Sequence, residues 1–260
     1  MRRLGLPLLV AFSVVVSLVC SRTADAVDSR DVTFENQSYR VVSVDTRRET
    51  IELHWRNPDT QQPFGTIDAL RLWGEANGRS LAFATNAGIY DRQYAPLGLY
   101  VEEGKTLVPL NLAHGNPRSG NFSLLPNGVF AIYDDGRAQV LTSEAFRALG
   151  SKPRIATQSG PMLVIDGQIN PQFDNDSDSV KWRSGVCAKT PNEVVFVVSR
   201  APVNFHGFAR LFRDEIGCRD ALFLDGTISE AYTAEDGYAG APAFMTKPYA
   251  GIFSVFRKNE

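Results

Sequence analysis

Alternating apolar and polar positions dominate the chain and predict β-strands. Residues 38–44 and 50–55 alternate in this way on either side of a charged turn, which predicts an antiparallel hairpin. Two more hairpins are predicted at residues 97–110 and 129–141, because each has an acidic residue followed by glycine at its centre. Largely apolar runs at 81–85, 162–165, 194–198, 221–224 and 250–256 predict further strands.

A helical spacing of apolar residues occurs in three places. It covers residues 67–77, 143–149 and 208–216, and each stretch is followed directly by glycine, which commonly ends a helix. Strands outnumber these helices and do not alternate with them in a regular β-α order. The sequence therefore predicts an α+β fold, with a mixed, mainly antiparallel β-sheet core and about three helices in a single compact domain.

The first 26 residues have the pattern of a secretion signal. Positive charge at the start precedes an apolar run at residues 4–20 and a small-x-small pattern at residues 24–26. We predict cleavage after Ala26, which leaves a periplasmic or secreted domain, residues 27–260, with no stable membrane insertion. Two weaker alternatives are lipidation of Cys20, which follows a rather large valine, and retention as an anchor, for which the apolar core is short.

Charge and cysteine content narrow the possible partners. A formal net charge of −2 provides no general basic surface, so nucleic acid is not expected as a partner. Cleavage of the signal would leave two cysteines, Cys187 and Cys218, and an oxidising compartment favours a disulfide between them. Two buried free thiols are the alternative, because cysteine is among the most buried residue types.

No cofactor or metal site is predicted from the sequence. The three histidines are scattered and lack the spacing of metal ligands. The acidic loop 173–178 could present oxygens to a divalent cation such as Ca²⁺, but Ser179 and Gly185 stand where an EF-hand needs glycine and glutamate. A solvated loop is therefore the default interpretation. The chain also lacks the motifs of a serine hydrolase.

Polar loops that contain glycine lie at or near the predicted strand ends and supply the candidate site. Asp225-Gly226 ends the apolar run 221–224, so its carboxylate would lie at a rigid strand end. Taken alone the pair favours a simple turn, and the similar loops elsewhere in the chain favour a site. Arg183 can bind a phosphate or a carboxylate through its planar guanidinium. Asp225, Asp91 and Glu230 could serve as acid, base or nucleophile. Asn86, whose amide can bond a sugar hydroxyl, joins Arg183 and these acids as a catalytic candidate. Groups able to bind the substrate are Gly88, Asn121, Gln158, Ser159, Gly160, Ser184, Gly226, Thr227 and Ser229.

Taken in order, these motifs resemble the phosphodiester glycosidase family, and the resemblance covers nearly all of residues 27–260. It implies a hydrolase that cleaves a GlcNAc-like sugar from a sugar-1-phosphodiester in envelope or exopolysaccharide metabolism. Ile228 departs from the small residues that many relatives have after Asp-Gly, so it could narrow the pocket. The positions most similar to the family are Asn86, Gly88, Arg183 and Asp225. The motifs are 86–90, 120–122 with 126–130, 158–161, 183–186 and 224–226.

The resemblance suggests a mechanism. Arg183 and the backbone N–H groups of residues 158–160 would hold the phosphate diester, while Asp225 acts at the anomeric carbon as general base or nucleophile. Asp91 or Glu230 would complete a carboxylate pair. A non-catalytic protein that binds glycan or phosphoglycan is the competing interpretation and would need no second carboxyl group. A phosphodiesterase that cuts the other P–O bond would normally require metal ligands.

Overall fold

Three β-sheets form most of the structure, a computed structural model that describes residues 27–113, 123–245 and 247–258. Every strand pair in these ranges is antiparallel, which confirms the predicted α+β class with its mainly antiparallel sheets. In spatial order, the seven-stranded sheet contains β1 (Val27–Phe34), β2 (Gln37–Asp45), β13 (Glu193–Ser199), β12 (Arg183–Thr190), β14 (Ala221–Gly226), β10 (Met162–Ile165) and β11 (Gln168–Ile169).

The other two sheets have five strands each. One contains, in spatial order, β16 (Gly237–Gly240), β15 (Glu230–Thr233), β4 (Arg79–Asn86), β17 (Ile252–Lys258) and β3 (Ile51–His54). The other contains β6 (Lys105–Val108), β5 (Tyr100–Glu102), β9 (Ile155–Ser159), β7 (Gly128–Ile132) and β8 (Ala138–Thr142).

Three α-helices connect the sheets, close to the predicted positions. They are α1 (Ile67–Ala76), α2 (Ser143–Leu149) and α3 (Phe205–Arg210), the last continuing as a π-helical turn at Leu211–Ile216. The Thr142 hydroxyl caps α2, and Gly150 and Gly217, with φ of 60° and 80°, end α2 and the π-helical turn in the left-handed conformation that glycine adopts readily. Within the described ranges, no helix has the length and apolar character needed to cross a membrane.

One predicted hairpin is wrong in its pairing. Residues 38–44 and 50–55 do contain strands, but β2 pairs with β1 and β13, whereas β3 pairs with β17. The β1–β2 hairpin closes through Glu35 and Asn36, whose φ values of 48° and 60° give the left-handed backbone of a tight two-residue turn. That turn contains no glycine, so the sequence signal for it was weak.

A cluster of phenylalanines joins the three sheets into one core. Phe83 on β4, Phe130 on β7, Phe196 on β13 and Phe253 on β17 are at most 1% exposed. The ring centre of Phe196 lies 5.0 Å from that of Phe83 and 5.3 Å from that of Phe253. The ring centres of Phe130 and Phe253 are 5.5 Å apart. Because all three sheets contribute to this cluster, they form a single domain and hold their strand ends at fixed positions.

A disulfide joins Cys187 on β12 to Cys218, which lies just before β14, as the sequence favoured. It closes a loop with a sequence separation of 31 residues. Cross-linking a loop of this length restricts the unfolded chain and stabilises the folded state by about 3–4 kcal/mol. The double variant Cys187→Ser/Cys218→Ser should therefore lose that free energy of unfolding, measured by urea denaturation. Dithiothreitol should lower the stability of the wild type to that of the variant, and a variant as stable as the oxidised wild type would contradict the prediction.

Candidate active site

A cavity of about 330 Å³ lies where the start of β12 meets the end of β14. These strands are antiparallel neighbours, with Arg183 opposite Gly226 and Ser184 opposite Asp225. The structure therefore brings Arg183 and Asp225 to the same cavity, as the sequence motifs required. The residues that line it are Tyr90, Ser179, Lys181, Arg183, Asp225, Gly226, Thr227, Ile228 and Lys247. A larger groove of about 1010 Å³ elsewhere contains none of the predicted site residues, so we place the site in the smaller cavity.

Asp225 is the carboxyl group of this cavity. Its Oδ1 accepts a hydrogen bond of 2.7 Å from the backbone N–H of Gly226. The residue is half-buried, but its Oδ2 is shielded from solvent and has no hydrogen-bond partner among the described residues. Burial raises the pKa of Asp225 to about 7, although the bond from Gly226 acts in the opposite direction. A buried carboxyl oxygen without a partner is costly, and such groups often belong to functional sites.

Arg183 is held by protein groups on several sides. It is 1% exposed, its Nε donates to the carbonyl of Val203 at 2.8 Å, and its Nη2 donates to the carbonyl of Ser179 at 2.9 Å. The guanidinium also stacks on Phe205, 3.6 Å from the ring centre. Burial lowers the pKa of Arg183 to about 10, so it stays charged at neutral pH. Arg183 therefore ties two backbone segments together at the edge of the cavity and contributes its positive charge.

A buried polar network lies behind Asp225. The Nδ2 of Asn86 donates to the hydroxyl of Ser184 at 3.0 Å, and the Ser184 hydroxyl lies 3.0 Å from that of Ser229. Ser229 also donates to the backbone carbonyl of Asp225 at 2.8 Å, while Asn86 Oδ1 accepts from the N–H of Glu230 at 3.3 Å. These three predicted site residues thus lie together, but they fix the backbone around Asp225 and do not line the cavity.

Glu230, the other predicted carboxyl group, is buried and does not line the cavity. It is 8% exposed, and its carboxyl group faces the hydroxyl of Tyr249. Burial raises the pKa of Glu230, and the charge of Asp68 adds to this effect. Burial also raises the pKa of Tyr249, and the charge of Glu230 adds to this effect. The Tyr249 hydroxyl donates to the carbonyl of Ile228, a residue that lines the cavity, at 3.3 Å. The predicted second carboxyl group thus lies outside the cavity, and Tyr249 supports the cavity wall at Ile228.

The structure does not bring Asp91 into the cavity. Its Oδ1 accepts hydrogen bonds from the N–H groups of Gln93 at 2.8 Å and Ala95 at 3.0 Å. These bonds shape a loop in which the ring of Tyr94 stacks on Tyr90, with 5.8 Å between the ring centres. Since Tyr90 lines the cavity, Asp91 supports one wall from a distance.

Gln158 and Ser159 are engaged inside the protein. The amide of Gln158 makes four hydrogen bonds, to the N–H groups of Leu99 and Asn111, the carbonyl of Asn111 and the hydroxyl of Ser143. The Ser159 hydroxyl donates to the carbonyl of Leu224 at 2.9 Å. Neither residue lines the cavity, so both support the end of β9 and the strand that carries Asp225.

Two predicted glycines are required by close packing. A Cβ at Gly160 would lie 1.9 Å from the Oδ1 of Asn127. A Cβ at Gly88 would lie 2.9 Å from the Thr157 hydroxyl, and the φ of Gly88 is +87°. Neither glycine lines the cavity. The predicted residue Asn121 lies outside the described residues.

The turn after Asp225 forms one rim of the cavity. Thr227 is exposed there and has a φ of 39°, which is unusual for a β-branched residue. Backbone conformations of this kind cost free energy and are concentrated at functional sites. The backbone N–H of Ile228 donates to the carbonyl of Gly226, and its side chain lines the cavity. Ile228, the residue that departs from the family pattern, thus helps to shape the site.

Sequence reasoning missed Lys181, Lys247 and Tyr249. Lys181 precedes Arg183 by two positions, so its proximity to the motif was the available signal. Lys247 and Tyr249 belong to the segment before β17 and match no motif in the sequence. Among residues 27–113, 123–245 and 247–258, no three His, Cys, Asp or Glu side chains lie close enough together to hold a metal ion. The sequence-based expectations for a cofactor and for Ca²⁺ therefore stay predictions.

Comparison with known proteins identifies the family. The family model for phosphodiester glycosidase matches residues 79–256, which is more than half of the chain. This chain belongs to the phosphodiester glycosidase family. The uncharacterized protein YigE of Escherichia coli K12 is 35% identical over 236 residues, covering 91% of this chain and 87% of the relative.

Solved structures share the fold of this phosphodiester glycosidase family member. The catalytic domain of zebrafish N-acetylglucosamine-1-phosphodiester α-N-acetylglucosaminidase, auto-inhibited by its pro-peptide, matches with a TM-score of 0.62 at 15% identity. That match covers 90% of this chain and 84% of the zebrafish chain. A hypothetical protein from Synechocystis matches with a TM-score of 0.56 at 14% identity, covering 88% of this chain and 61% of the other. At these identities the likeness concerns the fold.

Proposed function

We propose that this protein is an exported hydrolase that cleaves a sugar from a sugar-1-phosphodiester. The observation that carries the proposal is the carboxyl group of Asp225, which faces a positively charged cavity with one oxygen buried and unpartnered. Membership of the phosphodiester glycosidase family supports the same reaction class. A GlcNAc-like sugar and a role in envelope or exopolysaccharide metabolism are the finer parts of this proposal.

The proposed chemistry takes place at the anomeric carbon. With the substrate in the cavity, Asp225 takes a proton from a water molecule as the water oxygen bonds to the anomeric carbon. The bond from that carbon to the phosphate oxygen breaks, and a phosphomonoester leaves. Because this leaving group is already stable as an anion, nearby positive charge can replace the general acid of an ordinary glycosidase. A carboxyl group with a pKa near 7 suits the role of general base.

Covalent catalysis is the alternative role for Asp225. The carboxylate would then attack the anomeric carbon directly, and water would hydrolyse the glycosyl-enzyme in a second step. Both routes require Asp225 in its ionised form. They differ in the anomeric configuration of the released sugar, which NMR spectroscopy of the fresh product can determine.

Export is supported by two independent features. The first 26 residues have the composition of a secretion signal, although their structure lies outside the described residues. The disulfide between Cys187 and Cys218 is of the kind that persists in oxidising compartments. We therefore propose a periplasmic or secreted location, with residues 27–260 as the mature domain.

A non-catalytic phosphoglycan-binding protein is the second candidate. One observation favours it: among the described residues that line the cavity, Asp225 is the single carboxyl group, since neither Glu230 nor Asp91 lines it. Such a protein would use the same positive charges without turnover. Measured turnover of a phosphodiester would exclude it.

A panel of sugar-1-phosphodiesters tests the proposal directly. We expect the purified protein to release free sugar together with a phosphomonoester, because attack at the anomeric carbon breaks the carbon–oxygen bond. The release should be monitored by chromatography, with and without EDTA. Free sugar 1-phosphate would indicate a phosphodiesterase that cuts the other P–O bond, and binding without turnover would favour the phosphoglycan-binding protein.

A further inference from the structure

Two lysines line the cavity together with Asp225. Lys181 lies just before β12, and Lys247 lies in the segment that leads to β17. Both residues are exposed, and neither ammonium group has a hydrogen-bond or ion-pair partner among the described residues. Both ammonium groups are therefore fully available to an anionic ligand, whereas Arg183 has two of its N–H donors engaged by the protein.

Arg183 has already committed much of its hydrogen-bonding capacity to the protein. Its Nε and Nη2 donate to the carbonyls of Val203 and Ser179, and its face is stacked on Phe205. A phosphate that took both of these donors would leave the Ser179 carbonyl without its partner and the Val203 carbonyl with only the N–H of Lys181, which is unfavourable in a buried place. Only the N–H groups of Nη1 and the second N–H of Nη2 remain for a phosphate, so the planar fork that the sequence suggested for Arg183 is only partly available.

The same contacts of Arg183 fix the position of Lys181. The backbone N–H of Lys181 donates to the carbonyl of Val203 at 3.1 Å, and the N–H of Val203 donates back to Lys181 at 2.8 Å. Arg183 reinforces this pair, because it also donates to the carbonyl of Val203 and to that of Ser179, two residues before Lys181. The backbone of Lys181 is therefore anchored at the cavity edge, although its side chain is free to reach a ligand.

Lys247 is anchored in a comparable way from the opposite segment. Two residues further on, the N–H of Tyr249 donates to the carbonyl of Gly65 at 2.8 Å. Tyr249 is 1% exposed, so this attachment is part of the core. Lysines from two segments that are distant in sequence thus lie at one cavity.

We propose that Lys181 and Lys247 are the residues that bind the phosphate group of the substrate and select phosphodiesters over neutral glycosides. This inference rests on the proposed function and deepens it. A phosphodiester carries one negative charge beside the Asp225 carboxylate, and two ammonium groups offset that repulsion. Lysine binds phosphate as a point charge and does not require the fixed geometry of an arginine fork. The site should therefore accept sugar-1-phosphodiesters whose phosphate is esterified, on the side away from the sugar, to different alcohols.

The test compares one sugar on two leaving groups. The substrates are methyl N-acetylglucosamine 1-phosphate and the uncharged p-nitrophenyl α-N-acetylglucosaminide. We expect Lys181→Gln and Lys247→Gln each to lower kcat/KM for the phosphodiester by about 10- to 100-fold, the value of a hydrogen bond to a charged group. Their kcat/KM for the neutral glycoside should stay within about twofold of wild type. Lys189→Gln, an exposed lysine at the far end of β12, is the matched control and should change neither value.

A binding measurement keeps this inference separate from the proposed function. Calorimetric titration with inorganic phosphate should detect binding to wild type and to Lys189→Gln that weakens as salt is added, and no binding to the Lys181→Gln/Lys247→Gln double variant. If wild type binds phosphate in this way but hydrolyses nothing, the lysine assignment stands and the hydrolase proposal fails. Equal losses on both substrates, or phosphate binding by the folded double variant, would overturn the assignment.

Discussion

Asp225→Asn should abolish turnover of a sugar-1-phosphodiester while the protein stays folded. Asparagine has nearly the same shape, and its Oδ1 can still accept the hydrogen bond from Gly226. It can neither take a proton from water nor form a covalent bond to the anomeric carbon. We expect kcat to fall by about 10³-fold or more, within the usual contribution of a general base and its nucleophile. Initial rates of free-sugar release measure this loss, and urea denaturation checks the fold.

Asp91→Asn is the matched comparison for this variant. The Oδ1 of Asp91 serves as an acceptor for two backbone N–H groups, and an asparagine oxygen can replace it in that role. We therefore expect kcat of Asp91→Asn to remain within a few-fold of wild type. Retained activity in Asp225→Asn would remove Asp225 from the chemistry, and a large loss in Asp91→Asn would show that the loop with Tyr94 matters more than its position suggests.

Local rules predicted the helix ends and two of the three hairpins. Gly150 and Gly217 end helical segments because glycine accepts a left-handed backbone, and that information is present in single residues. The pairing of β2 was missed because strand pairing depends on contacts between distant segments. β2 lies between β1 and β13, and the residues of β13 follow those of β2 at a long distance along the chain. The turn through Glu35 and Asn36 contains no glycine, so no local signal predicted the hairpin of β1 and β2.

The candidate site shows the same division between local and distant information. The position of Asp225 at a strand end could be derived from the apolar run before it, and the family motifs placed Arg183 beside it. The partners of a side chain could not be derived. Arg183 has the chemistry of a phosphate ligand, but in the fold two of its donors meet the carbonyls of Ser179 and Val203. Lys247 reaches the cavity because the segment before β17 packs there, which no local pattern encodes.

The pH dependence of kcat/KM should rise through the pKa of Asp225. Both proposed roles need the ionised carboxylate, and burial raises its pKa to about 7. Activity should therefore increase about tenfold per pH unit below 7 and level off above it, which amounts to about 100-fold between pH 5 and pH 8. Initial rates at low substrate concentration provide the profile. A fall in activity over this range would instead assign Asp225 the role of a general acid that protonates the leaving group.

The contribution of Asp225 to the free energy of unfolding should fall as the pH rises, whereas the activity should increase. Because the folded state raises the pKa of Asp225 from 3.8 to about 7, it binds the proton more tightly than the unfolded chain does. The resulting stabilisation is complete below pH 3.8, declines as the pH rises to about 7 and is constant above that value. Three pKa units correspond to at most about 4 kcal/mol. Urea denaturation at pH 4, 5.5 and 8 should show wild type losing stability relative to Asp225→Asn by up to this amount, and a constant difference between the two proteins would mean that this carboxyl group keeps an ordinary pKa.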